Sequence, residues 1–128
     1  MAHKKQFSGN PLTSIINTSL DYPINKIGEG TITQDTSKRQ FSLSNLNLVI
    51  STYSEFMNSL KSRKEFSEFI KIDVEKYMHS LYRLKEFYEG NDSNISDFDA
   101  QIFFYYIRNE HKNFMRLAQE IDDEYKIS

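Results

Sequence analysis

The sequence predicts an all-α protein: three amphipathic helices behind an irregular N-terminal arm. Three observations carry that reading. Five of the six Gly and Pro residues (Gly9, Pro11, Pro23, Gly28, Gly30) fall in the first 30 positions, leaving Gly90 alone to punctuate the rest. From Ser44 onward, apolar residues recur at the 3.6-residue helical period in three successive blocks. Between those blocks stand short polar or basic stretches of the kind that end and restart helices. The spacing therefore divides the chain into a flexible arm over residues 1–40, with a short docking helix near 11–20, and a helical domain over residues 41–128. That domain should hold helices at about 44–61, 64–89 and 96–126, packed as an antiparallel bundle or as a long helical hairpin plus one helix.

In the arm, Asn10 suits an N-cap and Pro11 the first helical position, and Leu12, Ile15, Ile16 and Leu20 follow at helical spacing. About ten residues are too few for a stable isolated helix, so this segment should fold only when docked. The same spacing serves docking on its own body or on another protein, since helix-in-groove recognition uses it. The arm's nine apolar side chains, from Phe7 to Ile32, exceed what a purely solvating tail would carry. Around Gly28-Glu29-Gly30, the alternating Thr31-Ile32-Thr33-Gln34 and Lys38 to Leu43 flank the turn-prone Asp35-Thr36-Ser37. A hairpin, a single strand on the second piece and a plain linker all fit that pattern.

The first helix places Leu46, Val49, Ile50, Tyr53, Phe56, Met57 and Leu60 within an arc of about 120°, with Leu48 outside it. The basic cluster Lys61 to Lys64 suits its C-terminus. The second collects Phe66, Phe69, Ile70, Val74, Tyr77, Met78, Leu81, Leu84, Phe87 and Tyr88 on one side, with Asp73 projecting among them and Ile72 and Tyr82 among the polar residues. Gly90 reads as its C-cap glycine. Ser96 reads as the N-cap of the third, with Asp97 and Asp99 favourable in the first turn. The N-terminal half of this last helix is apolar all round: Phe98, Ile102, Tyr105 and Tyr106 cover one side, and Phe103, Phe104 and Ile107 the other. Beyond His111 only one face stays apolar, through Phe114, Met115, Leu117, Ala118, Ile121 and Tyr125.

Composition excludes several function classes. Without cysteine there is no disulfide framework, thiol nucleophile or Cys-based zinc site. No apolar run approaches the ~18 residues that would span a bilayer, and no signal-peptide apolar region follows Met1 to Gln6, so a soluble cytoplasmic protein is expected, with no membrane partner. Residues 1–40 carry five basic against three acidic side chains and the remainder 11 against 15, which is not a broad basic footprint. Neither Glu75 with His79 nor Glu110 with His111 has the Glu-x-x-His spacing of a carboxylate metal site. There is no phosphate-binding glycine loop and no nucleophile elbow. The expectation is a non-enzyme with no catalytic residue, metal, cofactor or small-molecule substrate.

Lys38 to Leu43, followed by two helices, resembles the order of ribbon-helix-helix proteins, in which two chains pair their strands in the major groove. The start, Lys4 to Gly9 with Pro11 to Ile16, resembles the basic arms of small plasmid-partition accessory proteins. That resemblance implies a DNA-binding regulator reading bases through Lys38, Gln40 and Ser42, with Phe41 and Leu43 on the core. The chain departs from it in a longer first helix, an additional third helix and an acidic body. The favoured expectation is a non-catalytic interaction or assembly protein. It would form a homo-oligomer, a dimer first of all, through Phe103, Phe104, Tyr105 and Tyr106, and reach a protein partner through Leu12, Ile15, Ile16 and Leu20. The physical ground is aromatic surface in excess of what an ~85-residue helical body can bury.

Overall fold

The computed structural model describes residues 11–31, 35–63, 67–90 and 95–125. Among the described residues there are four α-helices and no strand: α1 (Asp21–Glu29), α2 (Thr36–Lys61), α3 (Glu68–Glu89) and α4 (Asp97–Tyr125). None is long and apolar enough to cross a membrane. The all-α expectation holds, but the count of three helices does not. The additional helix lies inside the segment expected to be an irregular arm.

Local chemistry explains the difference. Residues 11–20 form two single 3-10 turns, Leu12–Ser14 and Thr18–Leu20, instead of one helix. Hydroxyl and amide side chains bind their own backbone here: the Ser14 hydroxyl donates to the Pro11 carbonyl at 2.6 Å, the Asn17 amide donates to the Thr13 carbonyl at 2.9 Å, and the Asn17 side-chain oxygen accepts from the Ser19 N–H. Such bonds compete with a continuous helical ladder. α1 then starts at Asp21, and Pro23 costs it nothing because a first-turn N–H has no intrahelical acceptor.

The strand or hairpin expected near Lys38 to Leu43 is absent, because those residues form the first turns of α2. Asp35 caps the helix by accepting from the Ser37 and Lys38 N–H groups at 2.9 and 3.2 Å. Ile32, Thr33 and Gln34, the core of the hairpin's first limb, lie outside the described residues. The other boundaries follow their caps. Ser67 accepts from the Ile70 N–H to open α3, and Gly90, with φ +72°, closes it in the left-handed conformation. Ser96 and Asp99 exchange side-chain to backbone hydrogen bonds at the start of α4.

The interior is shared by all of these elements. Tyr53, Phe56, Tyr77 and Phe114 form an aromatic cluster, with Tyr53 to Tyr77 ring centroids 4.3 Å apart and Phe114 packed edge-on against the other three. Arg39 lies against Asp97, and Tyr53 against His111, at the same sequence offset of 58, so α2 and α4 run in the same direction. Arg39 also stacks over Phe87 while Tyr53 packs on Tyr77, so α3 runs the opposite way.

The N-terminal segment closes this core. Leu12, Ile16, Leu20, Ile24 and Ile27 are all buried. Four side chains from three helices bind its backbone. The Asp122 carboxylate accepts from the Leu12 and Thr13 N–H groups at 2.8 and 2.9 Å, and His111 Nε2 donates to the Asn17 carbonyl at 3.2 Å. The Ser42 hydroxyl donates to the Lys26 carbonyl at 2.8 Å, and the Tyr88 hydroxyl to that of Ile27. Gly28 and Gly30, which read as punctuation, are points of closest approach. A Cβ at Gly28 would sit 2.4 Å from the Phe104 ring, and one at Gly30 would sit 2.6 Å from Tyr88 and 2.8 Å from the Ser42 Cβ.

Candidate interaction surface

Helix α4 offers the clearest unspent apolar surface. Its inward line is Ala100, Ile107, His111, Phe114, Ala118 and Ile121, all buried. A helix advances about 100° per residue, which puts Phe98, Ile102, Tyr105, Asn109, Lys112 and Arg116 along the opposite line, and all six are exposed. The first three keep 69%, 49% and 49% of their surface in solvent. This outward line is therefore apolar over its first half and polar or basic over its second.

The four aromatics expected to form the oligomer surface divide. Tyr105 is exposed on the outward line, whereas Phe103, Phe104 and Tyr106 are half-buried and pack against the core. Phe104 meets α1 at Gly28, and Tyr106 lies 6.1 Å from Tyr77. Phe98 and Ile102 belong to the surface instead. A signal for them existed in the sequence: Asn109, Lys112 and Arg116 extend the same angular line, so the polar face of the C-terminal half marks which side of the N-terminal half is outward. On α3, Phe69 and Ile72 are also exposed, and Asp73 stands in solvent, not on the core side.

The arm residues are placed otherwise than expected. Leu12, Ile16 and Leu20 are consumed by this chain's own core and Ile15 packs half-buried at its edge, so this set offers no free docking stripe. The DNA-reading set is likewise dispersed. Lys38 and Gln40 are exposed on α2, but Ser42 is buried and bonded to α1, Phe41 is exposed, and all four lie on a helix, with no strand among the described residues to carry them into a groove.

His111 is the principal polar group of the interior. The Tyr53 hydroxyl donates to its Nδ1 at 2.7 Å, which leaves Nε2 as the protonated nitrogen facing the Asn17 carbonyl. Burial holds the imidazole below its ordinary pKa of 6.5, partly opposed by that carbonyl and by the Asp21 carboxylate 3.8 Å away. Burial likewise raises the Tyr53 and Tyr77 phenols, and Tyr77 donates to the Ile107 carbonyl at 2.8 Å. An open cleft of about 240 Å³ lies outside His111, between Asp21, Ile24 and Asn25 of α1 and Arg108 and Lys112 of α4. His79 is exposed, and among the described residues no three His, Asp or Glu side chains converge on a point that could hold a metal. Comparison with known protein families, with curated proteins and with solved structures finds no match for this chain.

Proposed function

We propose that this chain is a non-catalytic interaction protein that self-associates through the outward face of α4. The observation that supports this reading is the line Phe98, Ile102, Tyr105, three large apolar side chains one turn apart and about half or more exposed on a helix whose opposite side is used by the core. Leaving such a line in water forgoes stabilisation of about 25 cal/mol per Å² that a partner surface would recover. Contiguous exposed apolar surface rimmed by charge marks interaction sites. Asp97 and Asp99 rim this one at its start and Arg108 and Lys112 at its end.

The test is the concentration dependence of the molar mass, read by sedimentation equilibrium, for the natural chain and for Ile102→Glu. The expected result is a reversible dimer for the natural chain and a monomer for the variant, with equal melting temperatures at dilutions where both are monomeric, because Ile102 contributes little to the folded interior. A natural chain that stays monomeric at every concentration rejects the reading.

A further inference from the structure

Resting on that reading of α4, the occupant of the outward face can be named from the charges that flank it. We propose that it is the same face of a second copy, running antiparallel about a two-fold axis level with Ile102 and Phe103. Asp97 and Arg108 lie eleven positions apart, which at about 100° per residue puts them on the same flank of the helix to within about 20°. Their midpoint falls between Ile102 and Phe103, within the span of the apolar line from Phe98 to Tyr105. A two-fold axis through that point, perpendicular to the helix, preserves the flank and reverses the direction. Each Asp97 then stands opposite the partner's Arg108, and the pair occurs twice, while the two apolar lines overlap from position 100 to position 105. A parallel arrangement, with its two-fold axis along the helix, would instead carry each charge to the opposite flank and leave Asp97 and Arg108 unpaired across the interface.

The two side chains are available for this. Arg108 is exposed, and its guanidinium stacks over the Phe104 and Tyr105 rings at 5.5 and 5.1 Å, which holds it beside the apolar line. Asp97 reaches Arg39 only at 3.9 Å, and its side chain is 61% exposed, so its carboxylate can accept from a second guanidinium. Sequence order alone thus makes one helix face complementary to itself: acid at the start, apolar in the middle, base at the end.

A charge swap on the full-length chain tests the register. Asp97→Arg and Arg108→Asp should each weaken self-association by about tenfold, because each homodimer would carry two like-charge contacts. An equimolar mixture of the two variants should recover the natural affinity, since both cross-pairs become opposite in charge. The chain has no cysteine, so Asn109→Cys gives a unique spin-label site. In the proposed dimer two such sites lie about 20 Å apart along the axis, at ~1.5 Å per residue, whereas a parallel dimer would set them side by side. If both charge variants dimerise as the natural chain does, or the labels sit side by side, the register is overturned while self-association stands. A monomeric natural chain overturns both, and Ile102→Glu reports on the face independently of charge.

Discussion

At the scale of single residues, His111 ties the N-terminal segment to the interior. Its ring bridges Tyr53 of α2 and the Asn17 carbonyl, and both bonds use the neutral Nε2–H form. Because burial depresses its pKa in the folded chain, the unfolded chain takes up a proton first as pH falls. Stability from this group is therefore complete above the unfolded value near 6.5 and is lost as pH drops below it toward the lower folded value. The loss can reach about 1.4 kcal/mol per pH unit within that window. Denaturant unfolding at about pH 7.5 and about pH 5.5 should show this fall for the natural chain and a smaller fall for His111→Gln. Equal slopes for both proteins would mean that the imidazole is not held neutral by the fold.

At the scale of elements, the N-terminal segment is structural. Leu12, Ile16, Leu20, Ile24 and Ile27 each contribute about 1.5–3 kcal/mol when fully buried, and their sum is comparable to the 5–15 kcal/mol that stabilises a typical domain. A chain beginning at Asp35 should accordingly lose its cooperative thermal transition while retaining some helical circular dichroism. A truncated chain that melted sharply, within a few degrees of the full-length protein, would show that the segment is dispensable.

The sequence made the buried faces of α2 and α4 legible, because periodicity records which side of a helix avoids water. Leu46, Val49, Tyr53, Phe56 and Leu60 all lie where the 3.6-residue period puts them. Caps at Ser96 and Gly90 were legible for the same local reason. The fate of the arm was not. Gly28 and Gly30 look alike whether they break a chain or let two helices touch, and only the position of the Phe104 and Tyr88 rings distinguishes the cases. The Asp122 clamp on Leu12 and Thr13 joins residues 110 and 109 positions apart, and no local pattern reports such a contact. Likewise, the all-round apolar half of α4 hid its outward side from its own periodicity, and only the polar line of Asn109, Lys112 and Arg116 further along the helix marked it.

At the scale of the whole molecule, the aromatic cluster makes the described helices one cooperative unit, and the tyrosine hydroxyls offer a way to see it. Tyr53 and Tyr77 are fully buried, and burial raises both phenols above their ordinary value of 10.0. Tyr88 is raised as well, with Arg39 pulling weakly the other way. A raised folded value means that the folded chain holds these protons when the unfolded chain has begun to release them. Stability from these groups is thus complete below about pH 10 and is lost as pH climbs above it. Tyr53 serves α2 and α4 at once, Tyr77 joins α3 to the Ile107 carbonyl, and Tyr88 holds α1. Ionising any one of them puts a charge into the shared interior, so none should titrate without opening it. In an alkaline titration, the phenolate absorbance of these three should therefore appear in a single step that coincides with loss of helical circular dichroism. Tyr53→Phe should break the bond to His111 and lower the midpoint of that step even though it removes one ionisable group. If instead all the phenolate signal developed while the helical signal stayed constant, the interior would be open to solvent and the packing of Tyr53 on Tyr77 could not be what unites the four helices.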